Sequence, residues 1–167
     1  VINLKIFFLK KKYKKKILIY YHPKPNLTKI HDFYIKDLFN RINSNFIIFH
    51  LYNFDLLNKE SLKKLLLVKQ ILLKWIFGVD IFVSSNVCDV FTKNSTRVYM
   101  HHTIYDTPLV SPEKENELMK RLSQFDYLFL SSNVTENFFN YLFRNIYKKI
   151  KPKIYHIGYP KMDYFFK

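Results

Sequence analysis

Hydrophobic and polar positions along the chain follow two alternating patterns. Short continuous apolar runs, rich in β-branched and aromatic residues and bounded by polar or turn-forming residues, predict buried strands. Six such runs lie at 16–22, 45–52, 79–86, 97–103, 126–132 and 153–160. Because segments with helical spacing separate these runs, the pattern predicts a parallel sheet with helices on both faces, which is a Rossmann-like α/β domain.

The first two helical patterns lie on either side of the second strand run. One of them gathers five apolar residues on a single face, namely Ile30, Phe33, Tyr34, Leu38 and Ile42. A long amphipathic segment begins at Asn58 and predicts a helix as far as Gly78. Glycine suits the C-cap at that point, because it adopts a positive φ at little cost.

Two more helices are expected in the second half of the chain. Ser111 is expected to cap a helix whose first residue is Pro112, because serine accepts hydrogen bonds from the first turn and proline needs no partner there. The other helix is expected to begin at Asn133 or Thr135 and to continue to about Lys149.

The length of 167 residues suits one domain with a hydrophobic core. We expect a basic N-terminal arm at 1–16 and the Rossmann-like domain at 17–167. The run M-D-Y-F-F-K at 162–167 resembles the start of another helix that stops after about one turn. We therefore expect a chain that is truncated before a second domain.

The net charge of +15 is carried by lysine far more than by arginine. One interpretation is compositional, because abundant Lys, Asn, Ile, Phe and Tyr with scarce Ala and Gly are typical of an A/T-rich genome. The other is attraction to a polyanion, either anionic lipid or nucleic acid. Charge alone does not choose between them.

The lysines are densest in a block at 10–16, which follows the apolar stretch I-F-F-L at 6–9. This stretch is too short to span a bilayer and does not have the order of a signal peptide. The arm is interpreted either as an anchor on an anionic membrane surface or as a frayed, solvated segment. The single Cys88 fits a reducing compartment, so we expect a cytoplasmic protein, peripheral on the inner face of the cell membrane under the first interpretation.

The motifs that the sequence lacks exclude several classes of enzyme. The two glycines, Gly78 and Gly158, lie far apart along the chain, so it contains neither G-x-G-x-x-G nor a P-loop, in which closely spaced glycines let backbone amides approach phosphates. It also lacks the G-x-S-x-G nucleophile elbow. Cys88 and the six histidines do not show metal-ligand spacing. We expect no metal and no resident cofactor.

The strongest candidate chemistry follows the fourth strand run. His101, His102, Thr103 and Asp106 lie where a parallel strand ends, which is where open α/β sheets bind ligands. A histidine is the usual base for a hydroxyl proton, and Asp106 is a candidate to orient its ring. A lone strand histidine is more often structural, and Asp106 suits a turn before Pro108 equally well.

Other strand ends carry polar residues too. S-S-N occurs at 84–86 and again at 131–133, so Ser131 and Ser132 are candidates to bind a phosphate at a helix N-terminus, although ordinary helix capping is the favoured interpretation. Gly158 suits either a sharp turn or a ligand close to the backbone. Asp163 is a candidate binding residue or the N-cap of the last helix.

Three segments carry a family resemblance together, namely Y-M-H-H-T…D-T-P, F-D-Y-L-F-L-S-S and I-Y-H-I-G-Y-P-K-M-D. They resemble the CDP-glycerol glycerophosphotransferase family, whose members polymerise or prime teichoic acid and related capsular polymers. The likeness covers residues 79–167 with good spacing, and the earlier part only by its α/β pattern. G-Y-P-K-M-D at 158–163 is its more specific part.

The resemblance implies one half of a GT-B arrangement, in which two Rossmann-like domains face each other. The N-terminal domain would hold a polymer or lipid-linked acceptor and supply a catalytic histidine, while the C-terminal domain would bind CDP-glycerol. His101 matches that histidine if His102 replaces the glycine of the family's H-G-T-like segment. Relatives with H-H-S make His102 an equal candidate.

Two other functions stay open. A GT-B half that uses a nucleotide sugar, as in a glycosyltransferase or epimerase, would select its donor outside this segment. A non-catalytic basic module that binds nucleic acid is the other, but the aromatic residues fall mostly at buried periodic positions rather than alternating with lysine on one face.

Overall fold

The computed structural model describes residues 2–22, 39–53, 66–101, 112–145 and 152–158. The strands are β1 (Lys16–His22), β2 (Phe46–Asn53), β3 (Leu66–Val68), β4 (Ile81–Ser84), β5 (Thr96–Met100), β6 (Tyr127–Leu130) and β7 (Lys153–His156). The α-helices are α1 (Ile2–Tyr13), α2 (Pro112–Leu122) and α3 (Asn133–Asn145), and a 3-10 helix covers Gln70–Trp75. Residues 39–42 are also helical.

The seven strands form one sheet in the order β3-β2-β1-β4-β5-β6-β7, and every neighbouring pair is parallel. The first strand, β1, therefore lies in the interior of the sheet. The strands β2 and β3 extend the sheet on one side of β1, and the strands from β4 to β7 extend it on the other side. This reversal between β1 and β4 is the switch point of a doubly wound sheet. The α/β Rossmann-like fold predicted from the sequence is confirmed.

Helical residues lie on both faces of the sheet. The larger apolar cluster joins one face to α1, the 3-10 helix, α2 and α3, through residues such as Ile6, Leu73, Met119 and Phe139. The smaller cluster lies on the other face, where Phe39 packs among alternate strand residues. Crossovers in opposite directions along the sheet place their helices on opposite faces when both are right-handed. The two clusters follow that rule.

Each of the six predicted strand runs overlaps one observed strand. The four runs with both bounds in described ranges begin and end within two residues of β1, β2, β4 and β6, and the runs 97–103 and 153–160 begin within one residue of β5 and β7. Pro112 is the first residue of α2, and α3 begins at Asn133, as predicted. The predicted helical face at 30–38, Ser111 and the helix end near Lys149 lie outside the described residues.

The predicted long helix ending at Gly78 is wrong over its described part. Leu66–Val68 forms β3 and pairs with β2, and a short 3-10 helix follows. That helix is capped by Ile76, and Gly78 has a φ of 75° in the loop beyond it. An apolar run of this kind fits a buried strand as well as a helix, and pairing with β2 decides the outcome.

The N-terminal arm is helical and packs on the domain. Ile6 is 2% exposed and belongs to the main apolar cluster. The Asn3 side chain donates to the Trp75 carbonyl (2.8 Å) and accepts from the Phe77 amide (3.0 Å). Lys10 forms an ion pair with Asp80 (Nζ···Oδ2 2.9 Å). The interpretation of the arm as a frayed, solvated segment is therefore wrong for Ile2–Tyr13.

Among the helices in the described ranges, none is both long and apolar enough to cross a bilayer.

Candidate functional site

The candidate site lies along the edge where the carboxyl ends of β4, β5, β6 and β7 meet. Parallel pairing brings these ends to one edge of the sheet. His101 directly follows β5, and Ser131 directly follows β6. Because Met100 pairs with Phe129, the residues that follow the two strands come close together. The topology thus joins two residues that the sequence separates by thirty positions.

His101 is held from three sides. Its side chain is buried, at 3% exposure, and its Nδ1 atom lies 3.1 Å from the Ser131 Oγ atom. The ring centroid lies 6.1 Å from that of Tyr99 and 6.3 Å from that of Phe139 on α3. Its backbone amide donates to the Phe129 carbonyl at 2.8 Å. His101 is therefore fixed in position and packs beneath a helix.

The contact with Ser131 also bears on the protonation of the ring. When Nδ1 carries the hydrogen and donates it to the hydroxyl, the lone pair of a neutral imidazole lies on Nε2. A histidine held in this tautomer is suited to accept a proton at Nε2. The pair has the elements of an oriented general base, with the Ser131 hydroxyl as a partner that orients the ring. Asp106, the predicted orienting residue, lies outside the described residues.

Ser132 caps helix α3. Its hydroxyl oxygen accepts a hydrogen bond from the Thr135 amide (3.2 Å) and lies 2.9 Å from the Thr135 hydroxyl. The Glu136 amide donates to the Ser132 carbonyl at 3.0 Å. The favoured interpretation of this position as a helix cap is confirmed, and the hydroxyl is already engaged at the helix N-terminus.

The end of β4 lies at the switch point of the sheet. The Ser84 hydroxyl donates to the Asn86 carbonyl (2.7 Å) and accepts from the Asn86 amide (3.3 Å), which closes a tight turn. Since Ser84 pairs with Tyr99, this turn lies at the end of β4 beside the end of β5, which His101 directly follows. The Asn86 Nδ2 atom is buried and has no hydrogen-bond partner among the described residues. A buried donor of this kind favours a polar ligand atom at the rim.

Cys88 follows the same turn and is inert. It is fully buried, and burial raises the pKa of its thiol from 9.0 to about 12, although a hydrogen bond with Ser84 opposes that change. A thiol with so high a pKa stays protonated near neutral pH and is a poor nucleophile. Cys88 is therefore a packing residue.

Gly158 follows β7 and has a φ of 75°. Among the described atoms, nothing lies within 4 Å of the position that a Cβ would occupy. The left-handed backbone, rather than crowding, is what favours glycine here. Of the two interpretations of Gly158, the geometry supports the sharp turn.

Four predicted site residues lie outside the described ranges, namely His102, Thr103, Asp106 and Asp163. Of the others, the structure brings His101 and Ser131 together and gives Ser132 a capping role. Asn86 is the residue to which sequence reasoning gave too little weight. Its significance depends on the strand order, which places the switch point beside β4.

No protein-family model matches the chain, and neither a curated protein nor a solved structure matches it. The likeness to the glycerophosphotransferase family therefore rests on the quoted segments alone.

Proposed function

We propose that this chain is the acceptor-side domain of a transferase that moves glycerol phosphate from CDP-glycerol to a polymer or lipid-linked acceptor of the cell envelope. The observation that carries the proposal is the contact between His101 and Ser131 at the carboxyl ends of β5 and β6. It supplies an oriented imidazole at the edge of the sheet where such folds bind ligands.

The chemistry needs little more from this domain than a base and correct positioning. An acceptor hydroxyl attacks the β-phosphorus of CDP-glycerol, so that a new P–O bond forms while the bond from that phosphorus to the oxygen bridging the two phosphates breaks. CMP leaves with the bridging oxygen, and Nε2 of His101 takes the hydroxyl proton. Phosphoryl transfer of this kind depends mainly on alignment and charge stabilisation.

The burial of His101 sets a condition on this role. Its ring is packed between Tyr99 and Phe139, so the acceptor hydroxyl must approach from the rim and not from the sheet face. Asn86 lies in the turn after β4, at the same edge of the sheet as His101, and its buried amide nitrogen suits an oxygen of the acceptor or of the transferred phosphate. We assign Asn86 to substrate binding on this basis.

The acceptors of such an enzyme are assembled at a membrane, so we include a peripheral location on the inner face of the cell membrane in the proposal. The lysine-rich α1 and the absence of Asp and Glu from residues 1–31 support it. Anionic lipid attracts clustered lysines near its surface.

In the test, the natural protein that contains this chain is incubated with membrane acceptor and radiolabelled CDP-glycerol. We expect label in the polymer and stoichiometric CMP. A panel of nucleotide sugars, offered in the same assay, separates the nucleotide-sugar alternative. Turnover of a sugar donor without turnover of CDP-glycerol would overturn the proposal.

A substitution within the same assay tests the binding role of Asn86. We expect Asn86→Ala to raise KM for the acceptor or donor while leaving the fold intact, because it removes a buried donor that has no partner inside the described protein. An unchanged KM for both substrates would remove Asn86 from the site.

A further inference from the structure

Helix α1 has apolar residues on both of its sides. Ile6 faces the core, and the partly buried Ile2 and Leu9 pack against the same cluster. On the outward side, Leu4 and Phe8 are 63% exposed and Phe7 is 61% exposed. A group of large apolar side chains left exposed on one side of a helix usually marks a contact surface. The outward side of α1 therefore lacks the cover that its composition calls for.

The exposed side of α1 continues onto the segment that leads into β4. Trp75 is 60% exposed, and Ile71, Leu72 and Phe77 are exposed beside it. Asn3 bonds to the backbone of Trp75 and Phe77. Phe7 lies one turn beyond Asn3 on the same side of α1, so the helix and the segment present one surface. We call the residues Leu4, Phe7, Phe8, Ile71, Leu72, Trp75 and Phe77 the apolar patch.

Positive charge surrounds the apolar patch. Lysines lie along α1 and directly after it, at positions 5, 10, 11, 12, 14, 15 and 16, and only Lys10 forms an ion pair among the described residues of this group. Lys69 precedes the 3-10 helix, Lys74 lies in its last turn, and the Lys93 ammonium lies 5.8 Å from the centre of the Phe77 ring. Residues 61–79, like residues 1–31, contain no Asp or Glu.

We propose that the apolar patch and its lysines dock the domain on an anionic lipid bilayer, with Phe7, Phe8 and Trp75 inserted at the level of the headgroups. Exposed aromatic residues with a lysine rim are typical of helices that lie in the membrane interface. Charge complementarity selects anionic lipid over a second copy of this chain, because two copies would bring like-charged rims together. The inference rests on the membrane location included in the proposed function and does not depend on the transfer chemistry.

The single tryptophan gives a direct measurement, since Trp75 lies within the apolar patch. The full chain is titrated with vesicles of equimolar phosphatidylcholine and phosphatidylglycerol, and separately with vesicles of phosphatidylcholine alone. On the anionic vesicles we expect the emission of Trp75 to move to shorter wavelength and to be quenched by lipids brominated near the headgroup. Pure phosphatidylcholine should give a much weaker response.

Two pairs of variants, each with a matched control, identify the surface. The double variant Phe7→Ser/Phe8→Ser should lower vesicle partitioning by at least about tenfold, because each substitution removes the favourable free energy of transferring an aromatic ring from water into the membrane interface. Val134→Ser/Tyr141→Ser removes side chains that are similarly exposed on α3 and should leave partitioning unchanged. All of these residues are exposed, so circular dichroism should show an intact fold.

The second pair tests the charge. Lys11→Gln/Lys12→Gln should lower partitioning about fivefold for each lysine, and added salt should reduce binding of the unaltered chain. The control Lys120→Gln/Lys153→Gln removes two exposed lysines that lie elsewhere on the domain. It should lower vesicle partitioning only by the small amount that the reduced net charge accounts for.

Three outcomes would overturn the inference. The first is an emission spectrum of Trp75 that anionic vesicles leave unchanged. The second is an equal loss of vesicle partitioning in the control variant Val134→Ser/Tyr141→Ser. The third is self-association of the chain that persists in the presence of vesicles and is abolished in Phe7→Ser/Phe8→Ser. A Trp75 shift with single-stranded oligonucleotide that exceeds the shift with vesicles would favour nucleic acid instead. Vesicle binding without any transfer activity would contradict the transferase proposal and leave the docking surface standing.

Discussion

Replacing Ile6 with alanine tests whether α1 is part of the folded domain. Ile6 is 2% exposed and packs in the main apolar cluster, where its Cγ2 atom would lie 3.2 Å from a Cβ at Gly78. The substitution removes most of the buried side chain at the point where α1 approaches the loop before β4. Leu4 is the matched control, because it lies on the same helix and is 63% exposed.

The expected loss of stability follows from the burial of Ile6. At about 0.8 kcal/mol for each buried carbon, the three carbons removed contribute about 2.4 kcal/mol. A residual cavity adds to this loss, but α1 lies at the outside of the domain and can move inward to reduce the cavity. We therefore expect Ile6→Ala to lower the free energy of unfolding by about 3 kcal/mol, and Leu4→Ala to change it by less than about 0.5 kcal/mol.

Urea unfolding followed by Trp75 fluorescence and by far-UV circular dichroism measures both effects. The Trp75 carbonyl accepts a hydrogen bond from Asn3, so its fluorescence reports on the docking of α1, while circular dichroism reports on all helices. Similar midpoints for Ile6→Ala and Leu4→Ala would contradict the reasoning. A fluorescence transition that precedes the loss of helix would show that α1 undocks before the domain unfolds.

Further predictions concern two glycines and the cysteine. Gly78→Ala should cost about 2–3 kcal/mol and Gly158→Ala about 1–2 kcal/mol, because both have a φ of 75° but only a Cβ at Gly78 would crowd Ile6; equal losses in urea unfolding would argue against the close approach of α1. Burial raises the pKa of Cys88 from 9.0 to about 12, so the stability that its neutral thiol contributes is complete below pH 9.0 and is lost as the pH rises toward 12. The stability difference between the unaltered chain and Cys88→Ala, measured on both sides of pH 9.0, checks this, and a pH-independent difference would contradict it. In the native state Cys88 should react with thiol reagents only as fast as the chain opens.

Much of the fold could be predicted because local pattern and tertiary structure agree. Strands such as β1 and β6 are continuous apolar runs between polar boundaries, and α3 follows a serine that caps it. The alternation of these elements was enough to predict a parallel sheet.

The errors lie where the outcome depends on contacts far along the chain. The leucine-rich run at Leu66–Val68 has no local feature that separates a buried strand from a helix, and pairing with β2 decides it. The docking of α1 depends on Asn3 and Lys10 reaching residues about seventy positions away. The sequence shows apolar residues on both sides of α1 and does not show which side packs inward.

The candidate site was predictable in its residues and less so in its geometry. His101 and Ser131 each stood out as polar residues at strand ends, but their contact requires β5 and β6 to be neighbours in register. The importance of Asn86 requires the complete strand order, because only that order places the switch point beside β4. Neither the register between β5 and β6 nor the complete strand order can be derived from the spacing of these residues along the chain.

The rate of transfer from CDP-glycerol by His101→Ala, compared with His156→Ala, tests the central claim most directly. His156 lies exposed on β7 and serves as a control histidine at the same sheet. The account predicts a kcat at least about a hundredfold lower for His101→Ala, because general base catalysis by histidine contributes about 10²–10⁴-fold, and an unchanged kcat for His156→Ala. A His101→Ala protein that folds and transfers glycerol phosphate at the unaltered rate would contradict the assignment.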